Sequence, residues 1–465
     1  MTRPSLLTVS LCSAVLGLVL AGAAPLCAAG PGRDAETRMP IEHLIVLMQQ
    51  NHTFDNYFGT YPGADGIPPD TCVPVNPHDG DTSCVEPFHI GDYPDLDHSG
   101  RTFWRQYNEG RMDGFVYALR QRGQDGAQAM GYYDDRDLPY YWNLADEFVL
   151  FDRFFSSAHS GSVQNRMYSV AAVPASDSGQ IPAGGYGDLP TIFDRLQDGG
   201  ISWKFYVNNY EPGLTYRTLG ESGMMEPQVQ WLPLLGFDRY VDQPELFGRI
   251  VDLDEYFEDL QGDTLPSVAY VLALGATEHP PSSLQSGQRL VKNMIQALMQ
   301  SHSWGRSAFL ITYDDWGGWY DHVIPPQVDG YGYGFRVPAL LVSPYAKRGY
   351  VDSTELDFTS ILKFIEENWG LEPLAERDAQ ANSIVNAFDF SQTPREPQFI
   401  PWKRVASEQQ KQPRSVVIYA GYGAALMLSG LIVAWAAVSS GRLDRRSAAR
   451  TKWLAEEVAG HEPPT

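Results

Sequence analysis

Basic residues are in short supply in this chain of 465 residues: 34 Lys and Arg stand against 57 Asp and Glu, which leaves a formal net charge of −23. A protein that binds nucleic acid or another polyanion normally carries a basic face. The composition therefore argues against a nucleic-acid partner, and the acidic excess is consistent with solubility. The sequence also lacks repeats and low-complexity tracts, and with 43% apolar and 12% aromatic residues it can bury a large core.

Cysteine is scarce as well, with four residues in the whole chain. Cys12 and Cys27 fall in the N-terminal segment that we assign below to a signal peptide, which leaves Cys72 and Cys84. An even pair in an exported loop favours a disulfide. The alternative, a metal site, would need more ligands than His78 and the two acids that lie between the cysteines.

Long uncharged apolar runs are confined to the two ends of the chain. Arg3, the apolar run from 6 to 24 and the small residues up to Ala29 are typical of a secretory signal peptide, which we place at 1–29. An uncleaved anchor is the competing interpretation. Near the other end, residues 416–438 contain no charge and are long enough to cross a bilayer, so we predict a transmembrane helix at 415–439.

These two segments predict a membrane-tethered layout. The body, 30–390, lies outside the cytoplasm, either periplasmic or extracellular. A polar, Pro-containing stalk follows at 391–414, and a short cytoplasmic tail at 440–465.

The body alternates short apolar runs with helical patterns. The runs are apolar at both odd and even positions, which is typical of parallel strands buried on both faces; they are His43–Met48, Ser202–Val207, Ser267–Leu272, Ala308–Tyr313 and Ala339–Ser343. Helical patterns occur near 290–298, before Gly199 and before Gly370. We therefore predict an α/β fold with a doubly wound, mostly parallel sheet, helices on both faces, and a site at the carboxyl ends of the strands.

Two strand ends carry the polar groups that such a site needs. "VLMQQNHTFDNYFG" (46–59) passes from an apolar run into Gln50 and Asn51, and "AFLITY" is followed by Asp314 and Asp315. Adjacent carboxylates repel each other unless a cation or hydrogen bonds compensate. A turn or helix cap would explain Asp314 and Asp315 taken alone, but the Gly pair and the Asp-His that follow favour a metal site.

A third stretch, "FFSSAHSGSVQNRMY" (154–168), places a small hydroxyl ahead of an amide and a guanidinium. Ser162 suits a nucleophile, and Asn165 and Arg166 suit donors to substrate oxygens. A Ser-rich loop with a capped helix start is the plain alternative. Gln164 stands where an acyl-hydrolase elbow has glycine, so that class is excluded.

The combination resembles the bacterial phosphoesterase family of phosphatidylcholine-type phospholipases C and related acid phosphatases. The resemblance rests on five stretches in order, which are Ile45–Gly59, Ser160–Arg166, 278–293, Thr312–Pro326 and 334–351. It implies an alkaline-phosphatase-like fold and hydrolysis of phosphate esters of a phospholipid or a small molecule.

The resemblance also implies roles for individual residues. Ser162 falls at the position of the nucleophile, and a divalent metal ion is expected near Asn51, Asp314 and Asp315. His98, His279 and His322 are expected around the phosphate as catalytic groups, with Asn165 and Arg166 as substrate-binding groups.

Two departures leave the activity open. Gln50 replaces a glutamate of the family, which removes one negative charge from the metal site and predicts weaker metal affinity. The Ser162 segment points towards the acid-phosphatase branch, so phosphomonoester hydrolysis is the alternative to a phospholipase C. A non-catalytic, membrane-displayed binding protein is the alternative from another class.

Overall fold

The apolar runs of the sequence form the centre of one large sheet in the computed structural model. The structure describes residues 36–404, apart from 81, 92–93, 175–180, 223–225 and 281, together with 427–431, 435 and 450–452. The chain divides into a body that ends at Trp402 and a second unit, 403–465. Positions 427–431 of the second unit are helical.

Up to residue 404 the described residues form twelve strands. They are β1 His43–Gln49, β2 Val73–Pro74, β3 Cys84–Val85, β4 Phe88–His89, β5 Gly131–Tyr132, β6 Val149–Phe151, β7 Trp203–Val207, β8 Ile250–Asp252, β9 Val268–Leu272, β10 Ser307–Tyr313, β11 Ala339–Val342 and β12 Tyr350–Asp352. All five predicted strands are present, and in each of them one of the two bounds differs from the prediction by one residue.

Fourteen α-helices accompany these strands in the same described range. They are α1 Phe54–Phe58, α2 Gly100–Tyr107, α3 Phe115–Arg120, α4 Pro139–Glu147, α5 Ser162–Ala171, α6 Ile192–Asp198, α7 Tyr216–Ser222, α8 Pro227–Trp231, α9 Asp238–Asp242, α10 Pro244–Phe247, α11 Asp254–Gly262, α12 Leu284–Gln300, α13 Phe358–Trp369 and α14 Glu376–Gln380. The three predicted helices correspond to α6, α12 and α13. Gly370 ends α13 with a φ of 68°, a conformation that glycine adopts readily.

The main sheet is mixed rather than fully parallel. Its eight strands run in the order β12-β6-β11-β10-β1-β9-β7-β8, and β11 is antiparallel to both of its neighbours. The other pairs of the sheet are parallel. The predicted mostly parallel α/β sheet is thus confirmed in outline, and β11 is its antiparallel strand.

Both faces of the central strands are covered. Every residue of β1 and β10 is buried, although successive side chains of a strand point to opposite faces. These strands are therefore apolar at both odd and even positions because the sheet is packed on both sides.

The body extends further than the predicted domain. Residues 391–402, which we assigned to the stalk, pack on the body: Arg395 donates to the carbonyls of Glu147 and Ala346 at 2.8 and 2.9 Å, and Ile400 is buried. These contacts make residues 391–402 part of the body.

The predicted disulfide between Cys72 and Cys84 is present. The signal peptide at 1–29 and most of the span at 415–439 lie outside the described residues, so both stay predictions. Within the residues that are described, no helix has the length and apolar character needed to traverse a bilayer.

Candidate active site

The two polar strand ends meet at one edge of the sheet. β1 and β10 are parallel neighbours in which Gln49 pairs with Tyr313, so the residues that follow each strand lie side by side. The Gln50 amide donates to Asp314 Oδ2 at 3.5 Å, and the backbone N–H of Asp314 donates to the Gln49 carbonyl at 3.1 Å. The predicted group of Gln50, Asn51, Asp314 and Asp315 is therefore a real cluster.

Asn51 holds its place in an unusual conformation. Its φ is 67°, in the left-handed region, which non-glycine residues rarely adopt outside sites where the surroundings enforce it. Gly317, with φ of 60°, lies directly against it, and a Cβ at position 317 would approach the Asn51 carbonyl oxygen to 2.1 Å. A glycine is thus required for Asn51 to enter the site.

Ser162 joins the cluster from the start of helix α5. Gly161 precedes the helix in extended conformation, and the Ser162 hydroxyl donates to Asp315 Oδ2 at 2.9 Å. Ser162 is half-buried. The first N–H groups of a helix lack intrahelical acceptors and favour anions, so the hydroxyl stands where a phosphate can be received.

Asn165 and Arg166, predicted to bind substrate, are both engaged within the protein. Asn165 is fully buried, accepts from the Ala158 N–H at 2.9 Å and donates to the Ser160 carbonyl at 2.7 Å. Arg166 is buried and forms an ion pair with Asp314, Nε to Oδ2, at 2.8 Å. Asn165 holds the loop that carries Ser162, and Arg166 neutralises part of the negative charge of Asp314 and Asp315.

Two of the three predicted histidines lie at this cluster. His98 Nε2 is 3.4 Å from the Asn51 amide nitrogen, and its Nδ1 donates to the Leu96 carbonyl at 2.8 Å. The rings of His98 and His279 are 6.0 Å apart. His279 Nδ1 donates to the Pro280 carbonyl at 2.6 Å, which leaves Nε2 as the nitrogen available to a substrate.

His98, which is half-buried, and the buried Asp315 interact through their charges. Burial raises the pKa of Asp315 to about 6, although the charge of His98 opposes the rise. For His98, burial lowers the pKa, but the negative charges of Asp315 and Asp314 and the bond to Leu96 outweigh it, and its pKa is raised. Because each group sets the charge of the other, the two titrate together.

His322, predicted to lie near the phosphate, contacts a second group of charged residues. Its Nδ1 is 2.7 Å from Asp55 Oδ2 and its Nε2 is 3.3 Å from Asp65 Oδ1. The buried Arg336 binds Asp55 and Asp321 at 2.9 Å each. Asp55, Asp321 and His322 are close enough to hold a cation, but the guanidinium already supplies positive charge there. The network instead ties the loop after β1 to the loop after β10.

Several oxygens of the strand-end cluster suit a metal ion. Gln50 Oε1, Asn51 Oδ1 and Asp314 Oδ1 are buried, and each is without a hydrogen-bond partner among the described residues. Unpaired buried oxygens are costly unless a ligand compensates them. Amide and carboxylate oxygens are the ligands that Mg²⁺, Ca²⁺ and Mn²⁺ prefer, so this donor set fits a divalent cation.

Glu278 is a site-supporting residue that the sequence did not single out. It is completely buried, with φ of 64°, and accepts hydrogen bonds from the hydroxyls of Tyr57 at 2.6 Å and Tyr313 at 2.7 Å, and also from that of Tyr141. It immediately precedes His279 and therefore fixes that histidine to the core. Its partners are remote in sequence, which left no local signal for its role.

Comparison with known proteins places the chain among phosphoesterases. A model of the Phosphoesterase family matches residues 41–372. The non-hemolytic phospholipase C of Pseudomonas aeruginosa is 27% identical over 77% of this chain and 58% of its own length. Phospholipase C B of Mycobacterium tuberculosis is 28% identical over 85% of this chain and 87% of its own length.

The chain thus spans less than two thirds of the Pseudomonas relative and most of the mycobacterial one. Among solved structures, a protein in the alkaline phosphatase superfamily from Vibrio parahaemolyticus is 11% identical, with a TM-score of 0.37, over 74% of this chain and 70% of that one. The matches to the family and to the two phospholipases C indicate a phosphoric ester hydrolase.

Proposed function

Because the chain belongs to the Phosphoesterase family, we propose that it is a phospholipase C-type enzyme that cleaves phospholipid phosphodiesters with Ser162 as nucleophile. The observation that carries the proposal is the contact of the Ser162 hydroxyl with Asp315 Oδ2, at 2.9 Å, beside three unpaired buried oxygens. The names of the relatives supply the substrate class, a phospholipid.

A divalent metal ion would be held by Asn51, Asp314 and Asp315, with Gln50 as a neutral fourth donor. When bound, such an ion would neutralise charge on the phosphate and increase the acidity of the serine hydroxyl. Arg166 would remain paired with Asp314 and limit the excess negative charge of the site.

The residues then serve two in-line displacements. The Ser162 oxygen attacks phosphorus and gives up its proton towards Asp315 Oδ2, to which it already donates. The bond from phosphorus to the diacylglycerol oxygen breaks, and His279 Nε2 donates a proton to that oxygen. Water then attacks phosphorus and gives one proton to His279 Nε2, which restores the proton that His279 lost. The bond from phosphorus to the Ser162 oxygen breaks, that oxygen takes back the proton held by Asp315, and the phosphoalcohol is released. His98, beside Asn51, orients the phosphate.

We also propose that the body lies outside the cytoplasm and is anchored in the membrane by a single helix at 415–439. The apolar segments at both ends of the sequence support this location, as does the disulfide between Cys72 and Cys84, because disulfides persist in oxidising compartments. The periplasm and the cell exterior are both compatible with it.

The test compares a diester with a monoester. The full-length protein, purified in a non-ionic detergent, would be assayed with p-nitrophenylphosphorylcholine and with p-nitrophenyl phosphate. We expect preference for the diester, and a loss of at least roughly a thousandfold in Ser162→Ala. Ser160→Ala, in the same loop, is the control and should retain activity.

Other outcomes assign other functions. Preference for the monoester, again lost in Ser162→Ala, would make the protein a membrane-tethered acid phosphatase. Full activity of Ser162→Ala would remove the serine from the mechanism. A folded protein that turns over neither compound would instead be a binding protein in which Gln50 marks the lost activity.

A further inference from the structure

Exposed apolar side chains gather beside the candidate active site. Seven large ones are exposed among the described residues of the body, and four of them lie on helix α2 or on the loop after β10. The four are Trp104, Ile324, Val328 and Tyr331, exposed by 53, 55, 47 and 43% respectively. We call these four residues, with Tyr107, the aromatic rim.

Contacts at His159 and Gly110 connect four of the five rim residues, and Val328 follows Gln327, whose side chain lies 3.1 Å from His159 Nε2. The rings of Trp104 and His159 are 4.6 Å apart, and the His159 N–H donates to the Tyr331 carbonyl at 3.4 Å. The rings of Trp104 and Tyr107 are 5.8 Å apart. A Cβ at Gly110 would lie 3.5 Å from the Tyr107 hydroxyl and 4.0 Å from Ile324. Tyr107 and Ile324 therefore lie on either side of Gly110.

The rim borders the site at two points of the chain. His159 is three residues before Ser162, and helix α2, which carries Trp104 and Tyr107, begins two residues after His98. A side chain at Gly161 would stand 3.7 Å from Asp315 Oδ2 and 3.5 Å from the His98 carbonyl. The rim and the nucleophile thus share one short loop.

Positive charge accompanies the aromatics, although the protein as a whole is strongly acidic. Arg101 and Arg105 flank Trp104 on the outer face of helix α2; Arg101 is exposed and Arg105 half-buried. Across the part of the chain that the structure covers, no carboxylate forms an ion pair with either one. Three acids close to the rim are paired with other cations: Asp97 with Arg122, Glu109 with Arg111 and Asp329 with Arg377.

We propose that the aromatic rim, with Arg101 and Arg105, is an interfacial surface that seats the active site on a lipid bilayer containing anionic phospholipid. Trp and Tyr prefer the boundary between headgroups and acyl chains, and basic residues next to them are attracted to anionic headgroups. The inference rests on the proposed phospholipid substrate and adds to it that the substrate is taken from an interface, not from solution.

Contact with lipid can be measured without activity. Full-length protein would be placed in mixed micelles of detergent, phosphatidylcholine and phosphatidylglycerol, and tryptophan fluorescence compared after exchange for dibrominated phosphatidylcholine. We expect the bromolipid to quench a larger fraction of the fluorescence in the wild type than in Trp104→Phe. Equal quenched fractions would overturn the inference.

Activity provides the second readout. Trp104→Ser should hydrolyse phosphatidylcholine in mixed micelles at least roughly fivefold more slowly than the wild type. Its rate on p-nitrophenylphosphorylcholine should equal that of the wild type. Phosphatidylglycerol in the micelles should accelerate the hydrolysis of phosphatidylcholine by the wild type. The double variant Arg101→Gln, Arg105→Gln should lose that acceleration. Phe399→Ser, which removes a 75% exposed aromatic whose chain neighbour Gln398 contacts Glu147, is the matched control and should change neither rate.

The two proposals fail separately. If neither substrate is turned over while the bromolipid still quenches Trp104, the interfacial surface stands and the proposed function fails. If both substrates are cleaved but Trp104→Ser affects them equally, the interfacial surface is wrong. A change of oligomeric size in Trp104→Ser without lipid quenching would make the rim a contact between copies of the chain.

Discussion

At the residue scale, the affinity of the candidate metal site depends on Gln50. Its amide donates to Asp314 Oδ2 and leaves Oε1 unpaired, so it can offer one neutral oxygen. Gln50→Glu should bind Mn²⁺ about tenfold more tightly, because it adds a negative charge to the ligand set. Calorimetric titration of the two full-length proteins would measure this. Unchanged affinity would mean that Gln50 does not face the cation.

Glu278 predicts how stability depends on pH. Burial raises the pKa of Glu278 to about 7, although hydrogen bonds from Tyr141, Tyr57 and Tyr313 oppose the rise. The folded protein therefore binds this proton more tightly than the unfolded chain, and the free energy of unfolding should fall as pH rises from the ordinary glutamate pKa towards about 7.

Denaturant titration of Glu278→Gln would measure that contribution. The variant and the wild type should agree at about pH 4, and at about pH 8 the variant should be more stable by up to roughly 3 kcal/mol. Glu355→Gln, at an exposed glutamate, is the control. A difference between Glu278→Gln and the wild type that stays constant with pH would contradict the assignment.

At the scale of elements, the close approach of the two strand ends depends on Gly317. A Cβ there would meet the Asn51 carbonyl at 2.1 Å, and the φ of 60° would strain any other residue. Gly317→Ala should lower the free energy of unfolding by about 1–3 kcal/mol and reduce turnover more than tenfold, since Asn51 must move. Gly330→Ala, in open space near the same loop, is the control. Equal stability and equal turnover of the two variants would mean that the position of Asn51 does not matter for the site.

The elements also show what sequence could predict. β1 and β10 were predictable because their residues are apolar without interruption, and the polar residues after them then had to meet at one edge. β6, β8 and β12 have three residues each, too few to display a period. The direction of β11 leaves no trace in composition, because a strand buried on both faces has the same pattern in either direction.

The histidines mark the limit of such reasoning at the site. His98, His279 and His322 all lie in polar loops of similar composition. The contacts of His322 were not predictable because its partner Asp55 is 267 positions away, and only the fold brings Arg336 to both. The contacts of Asn165 and Arg166 were not predictable for the same reason: their partners are backbone groups and a carboxylate that sequence proximity to Ser162 does not reveal.

At the scale of the whole molecule, the proposed location outside the cytoplasm can be tested by labelling. Ser391 is exposed on the body, and Ser447 lies in the predicted tail. In cells that express Ser391→Cys or Ser447→Cys, a maleimide that reaches the periplasm but does not cross the inner membrane should label position 391. Position 447 should react only after lysis, because the helix at 415–439 would place it on the cytoplasmic side. Labelling of both before lysis would mean that the tail is not cytoplasmic, and labelling of neither would place the body inside the cell.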